Sequence, residues 1–463
     1  MKTHKSYKFR LYPNEQQIPL LSQHGGNLRF VWNKLWEFSD NFKKESGKYP
    51  TKKQLRNQLA LIKNSNEFLK ISHSQPLQAT SDRLVETIIK AFKPENISLR
   101  NKEIASAKAL LEKAEIKKNE KDIEIAKRKL KKAYEYAFPK FKRKSNNSDS
   151  IFYPQFFKIR KSRICFPKLG WINYKKHREI EGTPKFLTIV QDGNLWFVSI
   201  TSEMEIQEKP MKPINVANEA NIVGADLGLT TYITLSDGSE IENPRNLKKY
   251  LRKLKRESKK LSRKELKETD EKTSYGKIIK QSSKNRNKQI SVVQKVHRKV
   301  RNVRKDFLHK TSHYLITKYD GIVLEDLDIK NLLQINGKAM NRSICDASWY
   351  ELSRQLDYKS KWYSKYFIKT DKYDPSTQEC NKCGNKQHLS LKQRHYVCPI
   401  CGHTCGRDLN ASKNVRDKGI IKLKEKYMMN TVATTGIEVC GSLRKKRDEA
   451  EKVVVSITQR VIA

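Results

Sequence analysis

Along residues 5–12, Tyr7, Phe9 and Leu11 alternate with Lys8 and Arg10, the period-two pattern of a half-buried strand, and Pro13-Asn14 ends it. A strand so isolated in sequence must pair with something distant. From Glu15 to about Phe42 the apolar residues recur at helical spacing (Ile18, Leu21, Phe30, Val31, Leu35, Phe38), and Gly25-Gly26 predicts a turn dividing them into two helices. Helical patterning then continues to about Ala137. Between Asn101 and Tyr136 the chain is almost wholly Ala, Leu, Ile, Glu and Lys, with neither proline nor glycine, which predicts a helical hairpin turning near Asn119.

The pattern changes at Phe138-Pro139. Residues 150–201 are rich in aromatic and β-branched side chains, and the runs Phe186–Val190 and Trp196–Ile200 flank Gln191-Asp192-Gly193-Asn194, a hairpin signal. A compact β domain follows the helices, and the strand at residues 5–12 is a candidate extra strand for it. The stretch from Glu208 to Asn221, with Pro210 and Pro213, reads as a linker. Beyond it, Ile222–Leu229 and Tyr232–Leu235, followed by Ser236-Asp237-Gly238, predict two strands in a hairpin. Two basic helical stretches come next: residues 245–267 hold twelve Lys or Arg against Glu257 and Glu265, and residues 284–310 hold ten against Asp306. Leu247, Leu251, Leu254 and Leu261 in the first, and Val292, Val296, Val300, Val303 and Phe307 in the second, keep one face for packing. Acidic partners at i to i+4 are nearly missing, so the other face is expected to meet phosphate rather than solvent alone. The tail from about Ile421 to Ala463 carries only weak signals.

Composition sharpens this picture. The 463 residues include 96 Lys and Arg against 50 Asp and Glu, a formal charge of +46, which self-repels unless a polyanion neutralises it. Nucleic acid is the expected partner. No apolar run approaches the roughly 20 residues of a membrane span, and Met1-Lys2-Thr3-His4-Lys5 lacks a signal-peptide core, so a soluble, cytoplasmic protein with no membrane partner is expected. Eight cysteines are too few for a disulfide scaffold in a chain this long.

Four of the cysteines form two close pairs, Cys380-x2-Cys383 and Cys398-x2-Cys401, with 14 residues between them. Each pair presents two thiolates from one turn, and together they complete a tetrahedral sulfur shell for a structural Zn²⁺ with no open position for catalysis. Gly384 and Gly402, one residue past each pair, suit the positive φ of such a turn. His388, His395, His403 and Cys405 are nearby substitutes, with ordinary surface as their alternative role. Two carboxylates interrupt strand-like runs: Asp226 in Ile222–Leu229, and Glu325 directly after Gly321-Ile322-Val323-Leu324. A carboxylate there is costly unless it is paired or binds metal. Asp408 lies seven residues after Cys401 where a helix starts, and helix capping is its alternative role. Together, Asp226, Glu325 and Asp408 supply what hydrolysis of a phosphodiester by two Mg²⁺ ions needs.

The order Gly224-Ala225-Asp226-Leu227-Gly228, Leu324-Glu325-Asp326-Leu327, two CxxC pairs, then Arg407-Asp408-Leu409-Asn410-Ala411 resembles the TnpB (OrfB) family of insertion sequences, RNA-guided nucleases related to compact type V CRISPR effectors. Tyr7–Pro13, Arg29–Lys34, Phe138–Lys142 and Pro167–Trp171 extend the likeness over most of residues 4–416. The resemblance implies a multidomain α/β protein: an RNase H-like (RuvC-type) nuclease domain with an inserted zinc ribbon, preceded by a β-rich wedge domain that a helical recognition domain interrupts. On that reading the segments are 1–13 (first wedge strand), 14–137 (helical recognition domain), 138–213 (wedge), 214–376 (nuclease, first part), 377–405 (zinc ribbon), 406–420 (nuclease, last part) and 421–463 (tail). Asp226, Glu325 and Asp408 then hold two catalytic Mg²⁺, Cys380, Cys383, Cys398 and Cys401 hold Zn²⁺, and a guide RNA directs cleavage of double-stranded target DNA beside a short adjacent motif. The alternatives are an RNA-guided regulator that binds without cutting, a CRISPR-associated compact nuclease, and a DNA-binding protein that reads bases through its ribbon. Ala225 replaces a branched residue frequent in the family, Thr404–Arg407 lacks an acidic residue frequent there, and the helical stretch at 101–136 is long for a minimal member.

Overall fold

The computed structural model describes residues 2–143, 150–205, 219, 221–264, 266–272, 278–372, 374–390 and 393–434. The chain divides into two compact units, Met1–Gln207 and Glu208–Ala463. Most of the stretch read as a linker, Pro210 and Pro213 included, lies outside the described residues, as do residues 435–463 of the tail.

In the first unit the opening strand β1 (Lys2–Tyr12) is not an edge addition. It sits in the middle of a seven-stranded sheet of order β2-β6-β7-β1-β5-β4-β3, where β2 is Ser150–Tyr153, β3 Lys158–Ile159, β4 Arg163–Phe166, β5 Gly170–Lys175, β6 Thr183–Asp192 and β7 Leu195–Glu205. It runs antiparallel to β7, Lys2 opposite Glu205 through Leu11 opposite Trp196, and to β5 on its other side. Its alternation decides the faces: Tyr7, Phe9 and Leu11 are buried, while Lys8 lies over the Phe197 ring at 4.4 Å on the other face.

Helices α1 (Gln17–Ser46), α2 (Lys52–Asn64) and α3 (Ser74–Ala91) pack on the buried face, and their leucines join the strand residues in one hydrophobic cluster. The break expected at Gly25-Gly26 does not occur; α1 runs through it for 30 residues. Two glycines cost a helix roughly 1 kcal/mol each, but His24, Gly25, Asn27, Leu28, Val31, Trp32 and Leu35 are buried along this stretch, and tertiary packing outweighs propensity. Residues 140–142 return to the same helix: Trp32 Nε1 donates to the Lys140 carbonyl at 2.9 Å, Asn33 exchanges hydrogen bonds with the Lys142 backbone, and Lys142 Nζ lies 3.7 Å from the Trp32 ring centroid. The charged stretch is the expected hairpin, α4 (Pro94–Ile116) and α5 (Glu120–Tyr134), with the Asn119 side chain accepting from the backbone N–H of Lys121 and Asp122.

The second unit is built on a five-stranded sheet of order β10-β9-β8-β13-β14: β8 Ile222–Leu227, β9 Thr231–Leu235, β10 Glu240–Glu242, β13 Gly321–Leu324 and β14 Tyr366–Lys369. The first three strands form an antiparallel meander, whereas β8, β13 and β14 run parallel. The basic stretches are helices α6 (Asn246–Ser262) and α7 (Lys284–Lys318), with a hairpin of β11 (Leu266–Lys272) and β12 (Ile278–Ser282) between them. Val296 and Val300 of α7 are buried as expected, but Val292 is exposed and the α6 leucines are half-buried. The buried contact between the two helices is instead polar, Gln289 Nε2 donating to Glu257 Oε2 at 3.0 Å.

After β13 come α8 (Ile329–Ile335), α9 (Lys338–Ala347) and α10 (Trp349–Tyr363). Val223, Ala225 and Leu227 of β8 and Ile322 and Leu324 of β13 face a core with α7 and α10. Ile222 and Val323 face the opposite way, onto Val415, Ile420 and Leu423 of the last helix, α11 (Arg407–Thr434). That helix continues well into the stretch whose sequence signals were weak. It lies unusually close to the sheet: a Cβ on Gly224 would fall 2.1 Å from the Ser412 carbonyl oxygen, and one on Gly419 2.3 Å from both Val323 methyl groups.

Candidate functional site

Alternation along the two central parallel strands decides where their carboxylates point. In β8, Ile222 and Gly224 face α11, so Asp226 faces α11 too; in β13, Val323 faces α11, and Glu325, just past the strand end, continues on that side. The register pairs Leu324 with Ala225, which sets Glu325 and Asp226 side by side at the carboxyl ends of adjacent parallel strands, where open α/β sheets present their ligands. Asp408 stands in the first turn of α11, with Arg407 Nε 3.5 Å from its Oδ1.

Glu325 and Asp408 both bear on Asp226. Asp226 is 9% exposed, and burial first, then the charges of Glu325 and Asp408, push its carboxyl up to about 8 against the opposing pull of Arg407. Glu325 is also raised, by burial, with the Ser376 hydroxyl donating to its Oε1 at 3.5 Å in opposition and Asp374 adding to the rise. A buried acid whose charge is opposed by two neighbouring carboxylates, with oxygen ligands only, suits a hard divalent cation that would relieve the repulsion. The three carboxylates are not drawn to one point: among the described residues, the set whose ligand atoms converge is that of the four cysteines.

Those thiols, Cys380, Cys383, Cys398 and Cys401, all lie within 4.8 Å of one another and could hold a metal ion. The two pairs are built alike. Gly384 N donates to Cys380 O and Gly402 N to Cys398 O, Cys380 N to Asn385 O and Cys398 N to His403 O. Gly384 and Gly402 adopt φ of +74° and +68°, the left-handed turn expected of them. Backbone N–H groups of Cys401 and Ile400 lower the Cys398 thiol, favouring the thiolate a metal needs, whereas, against the pull of the Asn385 backbone, hydrogen bonding with the neighbouring thiols raises Cys383. Strands β15 (His395–Val397) and β16 (Thr404–Gly406) form a hairpin beneath the cluster, and Tyr396 is fully buried against Cys380 and Cys398. His388 and His395 are exposed, His403 contributes its carbonyl, and Cys405 packs in this small core; none of the four joins the cluster.

What sequence reasoning missed is the connection between the two sites. Asn410 and Asn414, one turn apart on α11, reach the segment leading into the cysteine cluster: Asn410 Nδ2 donates to Glu379 O at 2.6 Å, and Asn414 Nδ2 to Ser376 O and Glu379 O at 2.7 Å each. In return Asn381 donates from its backbone to Asn410 Oδ1 at 3.1 Å and from its amide to Asn414 Oδ1 at 3.3 Å. Lys418 Nζ pairs with Glu379 at 2.9 Å. The helix that carries Asp408 thus also grips the loop that carries Ser376 to Glu325. The asparagines' spacing of four, which stacks them on one side of a helix, was the available signal.

Comparison with known proteins follows the same division. Residues 201–336 match the OrfB family described as "Probable transposase", residues 349–415 the "Cas12f1-like, TNB domain" and residues 1–41 a "Helix-turn-helix domain" of OrfB proteins; here residues 2–41 fold as β1 and the first part of α1. The "Putative RNA-guided DNA endonuclease InsQ" of Escherichia coli (strain K12) is 30% identical over 437 residues, covering 90% of this chain and 93% of that protein. A "Putative RNA-guided DNA endonuclease" of Streptomyces pristinaespiralis is 27% identical over 422 residues, 90% of this chain and 89% of that one. The "CRISPR-associated endodeoxyribonuclease Cas12f1" of Sulfoacidibacillus thermotolerans is 24% identical over 248 residues, half of this chain and 52% of that protein.

Proposed function

The chain belongs to the TnpB (OrfB) family, related to type V effectors, and on that premise we propose that it is an RNA-guided DNA endonuclease. Guide RNA reads the target by base pairing, the protein holds the heteroduplex and recognises a short adjacent DNA motif, and the second unit cuts. The observation that carries this reading is the trio Asp226, Glu325 and Asp408, two on neighbouring parallel strand ends and one on the helix that crosses them, with the Asp226 carboxylate destabilised by burial and then by the other two. The strand order, an antiparallel meander followed by two parallel strands with helices on both faces, supports an RNase H-like (RuvC-type) nuclease domain.

Asp226, Glu325 and Asp408 would hold two Mg²⁺, which when bound supply an activated water and stabilise the leaving oxygen of the phosphodiester. The chain's own residues do the positioning. Burial fixes Asp226 at the sheet end, Ser376 orients Glu325, Arg407 sets Asp408, and the close seat of α11 on Gly224 fixes how far apart they stand. Cys380, Cys383, Cys398 and Cys401 would hold a structural Zn²⁺ through four thiolates, with no position left for chemistry. The excess of basic residues, dense on α6 and α7, meets RNA and DNA backbones. Residues 14–137 and 138–213, with β1, act in this reading as the recognition and wedge parts that engage guide RNA and the target-adjacent motif. Among the described residues no helix is long and apolar enough to cross a membrane.

The test is cleavage by the protein purified with its own guide RNA, on a plasmid library carrying the matching target, with Mg²⁺. Asp226→Ala should retain guide and target binding and lose cleavage by about a thousandfold, the equivalent of several kcal/mol of metal-borne transition-state stabilisation. Cleavage by Asp226→Ala at the unaltered rate would overturn the site; guided binding by the unaltered protein without cleavage would make it a regulator.

A further inference from the structure

At the end of the sheet where β8 carries Asp226, but on the face that packs toward α7 and α10, the second unit has a cavity of about 400 Å³ between the start of α6, the β8–β9 connection and α9. Its volume lies within the roughly 300–1,000 Å³ of small-ligand sites. Leu229, Leu247, Leu251 and Met340 give it an apolar interior, and Arg245, Lys248 and Arg342 stand among its walls. Among the described residues no carboxylate pairs with these three; Arg342 Nε donates to the neutral Lys338 carbonyl. The one acid in the wall, Asp346, is already engaged: Oδ1 accepts from Arg304 at 2.6 Å and Oδ2 from the Leu247 backbone N–H at 2.7 Å. The cavity is therefore apolar inside and net cationic, a shape that takes a flat heterocycle inward and leaves its phosphate on the guanidinium and ammonium groups.

We infer that this cavity receives one unpaired nucleobase of the DNA strand being cut. The inference rests on the nuclease reading above and goes beyond it by assigning a substrate contact. Leu229 is three residues from Asp226, so their Cα atoms are at most about 11 Å apart. At the stacked repeat of roughly 3.4 Å per nucleotide that separation spans about three nucleotides, which sets the positions to be tested on either side of the scissile phosphate. A duplex cannot insert a paired base into a walled cavity, so the guide–target heteroduplex is excluded as the occupant and a single strand is required. The contact would anchor the displaced strand against sliding while the carboxylates act on its backbone.

The experiment uses the full chain with its guide RNA and target DNA. Single abasic sites are moved through the positions flanking the cut on each strand, and the unaltered protein is compared with Met340→Trp and Leu251→Trp, which fill the cavity and keep its cations. One abasic position within three nucleotides of the cut should slow cleavage roughly 5- to 150-fold, the loss of one base contact. Either filled variant should cut intact DNA slowly and show no further abasic penalty. A second readout does not depend on cleavage: 4-thiothymidine at that position, irradiated in the complex with Ca²⁺ in place of Mg²⁺, should crosslink to peptides containing Leu251 or Met340. Crosslinking with no cleavage of any substrate would keep the cavity as a site for an unpaired DNA base and remove the nuclease reading, and with it the assignment to a cut strand. Cleavage without an abasic penalty or crosslink would do the reverse. An abasic penalty undiminished in both filled variants, or a crosslink to guide RNA instead, would overturn the inference.

Discussion

Asn414→Leu isolates the connection between the helix carrying Asp408 and the loop carrying Ser376, because leucine keeps the branched shape of asparagine and removes its hydrogen bonds. Asn414 is 5% exposed and spans two carbonyls. The Ser376 carbonyl would lose its 2.7 Å donor, whereas the Glu379 carbonyl would keep Asn410 at 2.6 Å. The Asn381 amide would lose its bond to Asn414 Oδ1 but keep Asp417 Oδ2 at 2.8 Å, so one orphaned buried acceptor and two lost bonds whose partners keep another cost about 2–4 kcal/mol together. That cost is local, so it is read as hydrogen exchange in peptides covering residues 374–385, which should speed up about 30- to 1,000-fold while strands β6 and β7 are unaffected. Asn410→Leu should act in the same place. The double variant should cost more than the sum by about 1 kcal/mol, because only then does the Glu379 carbonyl lose both donors. Guided cleavage should fall with guide-RNA binding intact. Exchange within threefold of the unaltered protein, with the metal still bound at the cysteines, would refute the reasoning, as would a loss of protection spread evenly over both units.

Three further outcomes follow from the geometry. Gly224→Ala places a Cβ 2.1 Å from the Ser412 carbonyl oxygen and 2.5 Å from Arg416 N, so α11 must move; stability should fall by about 1–3 kcal/mol and cleavage should be lost while RNA binding persists, as thermal denaturation and filter binding would report. Purified protein should carry one Zn²⁺ by elemental analysis, and its chelation should expose Tyr396 to solvent and abolish cleavage, since the small core beneath the thiols has little else to hold it. His24 is buried in the first unit with its Nε2 lacking a hydrogen-bond partner, and burial first, then the nearby Lys168, lower it to about 4. The unfolded chain takes up this proton near pH 6.5 and the folded one does not, so that unit should lose up to about 3 kcal/mol as pH falls from about 6.5 to about 4. Hydrogen exchange of α1 amides in the full chain, corrected for intrinsic rate, should show the slope in the unaltered protein and a flatter one in His24→Leu.

Periodicity alone determined a great deal. The alternation of Tyr7, Phe9 and Leu11, the charged hairpin turning at Asn119, the β8–β9 hairpin and the two basic helices are all local patterns, and local patterns survive folding because each element buries one face. The cysteine cluster was legible for the same reason: two knuckles impose a spacing and a positive-φ glycine that any sequence carrying them must show. Asp226 and Glu325 announced themselves as acids in apolar strands. What the chain could not disclose in one dimension is whatever depends on which elements meet. Gly25-Gly26 reads as a break, yet α1 passes through it, because the decisive energy is burial against a sheet of which every strand but β1 lies more than a hundred residues away. That β1 is the centre of that sheet, with strands on both sides, follows from pairing and not from its own residues. Most of all, the grip of Asn410 and Asn414 on the carbonyls of residues 376 and 379 exists only because α11 crosses β8 at Gly224. Hydrogen bonds to backbone carbonyls leave no requirement on the partner's side-chain type, so nothing in the sequence around Ser376 records them.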